Sequence, residues 1–282
     1  MKLAAAAMLT ALLALAPAAR AETQAGDQAN PEQPSEAWTY LREEVFPGRS
    51  VQDAGDMIRL DAPYRAHDAA IVPVEIEIAP PFGRTVRHVT LIIDENPAPV
   101  AGEFDIGPAM GQSVFLSTRV RVNAYSNVRV VAELDDGALY QSARFVKATG
   151  GCAAPALKDA DAALAAAGQM RLRVFDFAAA AAQAARPPST RHEAQLMVRH
   201  PNYSGFQMDQ VTQLYIPPFF VDEIEVRQGE DLVFRVVGGI SLSEDPSIRF
   251  AFIPNGASAF SVHATDTDGG VYEGSFPVAT GS

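Results

Sequence analysis

Residues 71–78 read Ile-Val-Pro-Val-Glu-Ile-Glu-Ile, apolar and polar side chains alternating with a period of two. Only an extended strand puts every second residue on one face, so Val72, Val74, Ile76 and Ile78 face a core and Glu75 and Glu77 face away. Pro73 lacks an N–H and marks an edge or a strand start. The same period recurs in 88–94 through Val89, Leu91 and Ile93, and in 113–122 through Val114, Leu116, Thr118, Val120 and Val122. That register leaves Arg119 and Arg121 together on the opposite face. Segments 127–134 and 138–147 flank Asp135-Asp136-Gly137, a hairpin turn built from residues that tolerate positive φ.

The pattern stops at 156–190, where alanine dominates and Pro187-Pro188 closes the stretch. Alanine is the best helix former, so one or two linker helices are expected there, broken at Gly168. Period two returns in 193–199, then through Phe220, Ile224 and Val226, then Leu232, Phe234 and Val236, then Ile248, Phe250 and Phe252, then Phe260, Val262 and Ala264. The two halves close alike, with "AELDDGALY" at 132–140 and "ATDTDGGVY" at 264–272. An all-β chain follows, with two β-sandwich domains joined by an Ala-rich helical linker. Ahead of them, residues 22–56 form a polar lead-in with a short helix near 36–46, its Trp38, Leu41 and Val45 at helical spacing for packing.

Residues 1–21, MKLAAAAMLTALLALAPAARA, read as a secretory signal: Lys2, an apolar run, then the small-x-small site Ala19-Arg20-Ala21. The run is short of the ~20 apolar residues a bilayer span needs, and no second candidate occurs, so no membrane span is expected in the mature chain. Export places it in the periplasm. Removal of residues 1–21 takes away Lys2 and Arg20 and moves the formal charge from −12 to −14. Such a chain does not hold nucleic-acid phosphates.

The sequence "KATGGCAAP" at 147–155 holds the chain's one cysteine, Cys152. It cannot form an internal disulfide, and an exported chain that keeps a lone thiol suggests a reactive one. Gly150 and Gly151 before it and Ala153-Ala154-Pro155 after it make a poor core strand, so a mobile arm at the end of a sheet is expected. Extended, 147–152 reaches about 15–20 Å at ~3.3 Å per residue. Lys147 and Lys158 are the nearest cations in sequence, opposed by Asp159 and Asp161, which leaves the direction of the thiol's pKa open.

The first half resembles SoxY, the sulfur-carrying subunit of the periplasmic sulfur-oxidation system. The matching stretches are "VPVEIEI" at 72–78, "NPAPVAGEF" at 96–104, "STRVRV" at 117–122, "VVAELDDGALY" at 130–140 and "VKATGGC" at 146–152. The second half resembles SoxZ through "HPNYSG" at 200–205, "SEDPSIRFAF" at 243–252 and "DTDGGVYEGSF" at 266–276. The order is similar to fused SoxYZ-like carriers associated with quinoprotein dehydrogenases. The resemblance implies an immunoglobulin-like sandwich in each of 57–152 and 192–282, with the linker over 153–191. It implies a carrier rather than an enzyme, with a sulfur adduct carried covalently on Cys152, no resident cofactor, and Gly150 and Gly151 as the carrier arm. Its implied partners are periplasmic sulfur-oxidation enzymes or a quinoprotein dehydrogenase system. In SoxY the arm ends the chain; here residues 153–191 follow, so the thiol sits on a tethered loop. An accessory role at a dehydrogenase, with Cys152 incidental, is the alternative.

The remaining constellations carry less. Ser204 in HPNYSG lacks the G-x-S-x-G elbow of a hydrolase and reads as a loop residue, one that the paired halves implied by the resemblance place near their contact. Asp266-x-Asp268-Gly269 lacks the remaining ligands of an EF-hand, Glu273 standing at the wrong distance, and reads as a turn. The five histidines show no metal-ligand spacing, so no metal is expected. Arg119 and Arg121 are candidate anion contacts, solvated strand charges being the commoner case.

Overall fold

The structure is a computed structural model and describes residues 35–155, 160–175 and 192–278. The leader expected at 1–21, residues 22–34 of the lead-in, and Lys158 and Asp159 lie outside them. The first half contributes β1 (Val51–Asp53), β2 (Ile58–Asp61), β3 (Val72–Ile78), β4 (Val86–Ile93), β5 (Val100–Ile106), β6 (Val114–Val120), β7 (Ser126–Leu134) and β8 (Leu139–Val146). The second contributes β9 (Met170–Phe175), β10 (His192–Val198), β11 (Val221–Gln228), β12 (Asp231–Gly238), β13 (Ser247–Phe252), β14 (Ala259–Asp266) and β15 (Val271–Pro277). Helix α1 (Glu36–Val45) precedes them and α2 (Ala160–Ala165) stands between the halves.

The strands form two sheets, β1-β8-β7-β4-β5-β12-β11-β14-β15 and β2-β3-β6-β13-β10-β9. Each half supplies four strands to the larger sheet and three to the smaller in one repeated order, β2 to β8 answering β9 to β15, with β1 added at the outer edge. That is a seven-strand sandwich of immunoglobulin-like architecture, made twice. The halves join edge to edge. β5 pairs antiparallel with β12, Phe104 opposite Val236, and β6 pairs with β13, Leu116 opposite Phe250. A single apolar cluster runs through both halves, with the Phe234 and Phe250 rings 5.2 Å apart and the Phe252 and Phe260 rings 4.9 Å apart.

Alternation in the sequence matches burial where it is cleanest. Val72, Val74, Ile76 and Ile78 are buried while Glu75 and Glu77 are half-exposed, and Pro73 is the second residue of its strand. A register irregularity between Val226 and Arg227 turns Val233 inward beside Phe234, where Leu232 was expected. The linker also differs from expectation. Only α2 is helical among its described residues; Gly168, at φ 80°, stops the turn after it, and β9 then pairs with β10. β9 is the first strand of the second sandwich, so Met170, Leu172 and Val174 pack on the core. The alanine content concealed that alternation.

Helix α1 begins at Ser35, whose Oγ accepts from the Trp38 N–H (3.0 Å) and donates to Asp94 (2.9 Å). Asp94 also accepts from Arg129 Nε and Nη2 (3.2 and 2.7 Å), and the Arg129 guanidinium lies 4.0 Å from the centre of the Trp38 ring. Trp38 and Leu41 thereby seal Ile92, Val131 and Leu139 on the outer face of the large sheet. No described helix is long and apolar enough to cross a membrane.

Candidate functional site

The chain leaves β8 at Val146 and turns across the end of the sandwich, where β6 ends and β10 and β14 of the other half also finish. Backbone contacts tie it down at once: Lys147 N–H donates to Tyr64 O (2.7 Å), Gly150 N–H to Asn123 O (2.8 Å) and Gly151 N–H to Val122 O (3.1 Å). Gly150 sits at φ 77°, a left-handed conformation that disfavours side chains. A Cβ on Gly151 would stand 2.1 Å from Ala69 O and 2.7 Å from Val122 O. The glycine pair is therefore needed to seat the arm against its neighbours, whereas the sequence suggested a free hinge.

Cys152 is 0% exposed, which corrects the expectation of a thiol held out on a mobile tip. Its surroundings are polar and drawn from both halves. The Cys152 N–H donates to Asn123 Oδ1 (3.3 Å). Its carbonyl accepts from Ser204 Oγ (2.5 Å). The Ala154 carbonyl accepts from Gln207 Nε2 (3.1 Å) and the Gly151 carbonyl from Arg121 Nη1 (3.1 Å). Ser204 and Gln207 belong to the second half, so its 200–207 loop clasps the arm of the first. Ser204 is thus a buried clasp residue, its hydroxyl donating to the arm and accepting from the Phe206 N–H (3.3 Å).

Arg121, expected on a solvated face beside Arg119, is fully buried. Its Nη2 donates to Asn202 O (3.2 Å), and its Nε has no hydrogen-bond partner among the described residues. Arg119 points elsewhere and donates to Asp245 O (3.0 Å). The two arginines therefore do not act together. Burial pushes the Cys152 thiol above its ordinary range, and the charge of Arg121 offsets part of that rise. Burial likewise depresses Arg121, with Cys152, Glu244 and Asp68 acting against it. Lys147, the sequence's nearer cation, instead lies 5.1 Å from the Tyr64 ring centre and 5.9 Å from that of Tyr125. A thiol so placed is protonated at neutral pH, and the thiolate is the reactive form. A cavity of about 280 Å³ lies past the thiol along the chain, bordered by Ala154 and Pro155 together with Asp68, Ala70, Arg121 and Glu244.

Two further residues stand behind the clasp, and only tertiary structure reveals them. Asn96 Nδ2 donates to Arg121 O (2.7 Å) and to Ser241 Oγ (2.9 Å), while its Oδ1 accepts from Asn123 N–H (2.8 Å). His200 is buried against the Phe219 ring, centres 4.3 Å apart, with Nδ1 2.9 Å from Asn202 Oδ1 and Nε2 3.7 Å from Asp266 Oδ2. Asp266 also accepts from Tyr272 Oη and from the N–H groups of Asp268 and Gly270, so the Asp-Thr-Asp-Gly sequence is a hairpin turn. No cluster of three potential metal ligands occurs among the described residues.

Burial holds His200 below its usual pKa of 6.5, its bond to Asn202 and the Asp266 charge opposing this in part. The unfolded chain therefore takes up the proton first. The stability owed to neutral His200 is complete above about pH 6.5 and falls away as the pH drops toward the lower folded value. Burial works against ionised Asp266, but its hydrogen bonds outweigh this and keep it below 3.8, outside that window. Melting temperatures from pH 7.5 to 5 should fall more steeply for the wild type than for His200→Gln; equal slopes contradict the assignment. A second expectation concerns Gly151→Ala. The added Cβ meets backbone, so the closed arm loses about 1–3 kcal/mol. Native alkylation of Cys152 by iodoacetamide should rise about ten- to a hundredfold, and an unchanged rate contradicts the seated arm.

With this geometry in view, two family matches divide the chain. The family "Sulfur oxidation protein SoxY" matches residues 42–152 and "Sulphur oxidation protein SoxZ" matches residues 182–277. The first match ends on Cys152. The sulfur carrier protein SoxY from Chlorobium limicola f thiosulfatophilum is 28% identical, covering 39% of this chain and 89% of its own, with a TM-score of 0.33. A superoxide reductase (neelaredoxin) from Ignicoccus hospitalis is 12% identical over 32% of this chain and 78% of its own, with a TM-score of 0.27. No curated protein matches the chain.

Proposed function

We propose that this chain, a fused SoxYZ-like protein whose SoxY region runs directly into a SoxZ region, carries a sulfur-containing group on Cys152 for enzymes that act on it in turn. The observation that carries the reading is the hold on the arm. The chain's one thiol lies where the SoxY region ends, and hydrogen bonds from the SoxZ region cover it. Such bonds are individually worth about 0.5–1.5 kcal/mol, so they can be exchanged without unfolding the sandwich.

The chemistry asked of Cys152 is simple. Its thiolate attacks one sulfur of a donor's S–S bond; a new S–S bond forms to Cys152 and the donor's other sulfur leaves with the bonding pair, as a thiolate from a disulfide or as sulfite from thiosulfate. No net oxidation occurs in that exchange. The thiol proton passes to solvent once the arm opens. In the closed form Arg121 donates to the Gly151 carbonyl and also lines the cavity that Ala154 and Pro155 border. The chain contributes no catalytic centre of its own in this reading. The apolar leader at residues 1–21 supports action in the periplasm, which a fusion of those residues to a reporter active only after export tests.

The burial of Cys152 favours one second reading, an accessory protein for a periplasmic quinoprotein dehydrogenase in which the thiol plays no part. Peptide-resolved mass of protein purified without reductant, with and without thiosulfate, separates the two. A sulfur adduct on the Cys152 peptide is the carrier's expected result. An unmodified thiol, together with dehydrogenase activity unaltered in Cys152→Ala, supports the accessory role.

A further inference from the structure

Between β10 and β11 the chain runs out and doubles back, with Tyr203 bridged to Phe219 and Met208 bridged to Tyr215. The turn is built, not loose. Gln213 N–H donates to Asp209 O (2.9 Å), and the Asp209 carboxylate accepts from the N–H groups of Val211 and Thr212 (3.0 and 2.6 Å). This ordered hairpin displays apolar side chains to solvent. Val211 is 91% exposed, Leu214 68% and Tyr215 67%, with Phe206 and Met208 exposed beside them. Asp209 is the only charged residue between Pro201 and Phe220, in a chain of net charge −12. An exposed apolar patch held in one conformation marks a contact surface, and its lack of charge marks an apolar partner.

The hairpin is rooted in the clasp. Gln207 accepts from Ile216 N–H through its backbone carbonyl (2.8 Å), so it belongs to the hairpin's ladder. Through its side chain the same residue holds the Ala154 carbonyl and accepts from Ser204 N–H (3.0 Å), and Ser204 holds the Cys152 carbonyl. A displacement of the hairpin therefore reaches the arm through two residues. Backbone strain gathers on the same path. The described non-glycine residues with positive φ are Asn202 (43°), Gln213 (58°) and Asp245 (46°). One lies in the clasp and one at the hairpin tip; Asp245 exchanges backbone and side-chain bonds with His200. Such a conformation is uncommon outside glycine and persists where its surroundings impose it, commonly at a functional site.

We infer that the 206–216 hairpin is the docking surface for the enzyme that acts on Cys152, seating its uncharged apolar face on an apolar rim of that protein and drawing Gln207 and Ser204 off the arm as it does so. This rests on the carrier reading for the partner's identity. The continuity of the hairpin with the cover over Cys152 selects that partner, since a protein seated elsewhere has no such connection to the thiol.

The test uses the full chain with sulfur-oxidation enzymes, each purified separately. A photoreactive benzoylphenylalanine replaces Leu214 in one variant and Val271, an exposed apolar residue on β15, in another. Crosslinking to one enzyme from position 214 alone, persisting at high salt, is the expected result. The exposed double variant Val211→Ser with Leu214→Ser should keep the wild-type melting temperature and raise that enzyme's KM for the carrier about tenfold or more, with kcat retained. Crosslinks solely to a second copy of the chain, equal crosslinks from both positions, no crosslink, or an unchanged KM overturn the docking surface. The carrier reading fails separately: a 214-specific crosslink with no adduct on Cys152 sinks the carrier alone, and an adduct without the crosslink and with KM unchanged sinks the docking surface alone.

Discussion

Cys152→Ser is expected to abolish adduct formation completely while the protein stays folded, the buried hydroxyl costing about 1–3 kcal/mol of folding stability. Serine replaces the sulfur with an oxygen of similar direction, so the packing around position 152 survives. What is lost is the only atom in the chain able to join a sulfur–sulfur bond, because no second cysteine exists to substitute for it. A hydroxyl is also scarcely ionised at neutral pH, so it does not replace the thiolate as nucleophile. The check is twofold: peptide-resolved mass after incubation with thiosulfate and the sulfur-oxidation enzymes, and turnover of those enzymes with the variant as carrier. Residual turnover near the wild-type rate would mean that the thiol is incidental.

The second large effect is expected at Arg121. Arg121→Met keeps an unbranched side chain of similar reach but removes the donors to the Gly151 and Asn202 carbonyls. Leaving a buried acceptor unpaired costs about 1–3 kcal/mol, so the pair disfavours the closed arm by roughly 3 kcal/mol. An opening equilibrium shifted by that amount moves more than about a hundredfold, and native alkylation of Cys152 should rise accordingly. One effect runs against it. The thiol loses the positive neighbour that offsets its burial, so in any remaining closed population its pKa rises further. The pH profile separates the two. If opening dominates, the alkylation rate follows an ordinary exposed thiol; if the arm stays closed, the profile moves to higher pH and the rate falls, which contradicts the role given to Arg121.

Much of the sandwich was legible because a half-buried strand writes its two faces into alternate residues, as in 72–78. β5 escaped notice. Its Gly102 has no side chain, a Cβ there meeting Phe104 and Val236 at 3.3 Å, so one buried position leaves no apolar letter. β9 escaped because a helix-forming composition surrounds it. The repeated order of seven strands needed the pairing partners, which no single stretch contains. Cys152, Gly150 and Gly151 were identifiable as a unit, but their burial was not. Ser204 and Gln207 lie more than fifty residues along the chain from the arm they hold, and Arg121 reads as a solvated strand charge until the second half covers it. HPNYSG did carry a signal as a segment at the contact between the halves, and the structure gives it that place, over the arm.

Carrier function requires Cys152 to be a thiol that is covered at rest and uncovered for use. The most direct test offers the native protein thiosulfate with the sulfur-oxidation enzymes, then iodoacetamide without denaturant, and reads the mass of the Cys152 peptide. The expected outcome is a sulfur adduct on part of the population, with the remaining thiol alkylated slowly but measurably in the folded state. A peptide that carries no adduct and takes up iodoacetamide only after the protein is unfolded would contradict it.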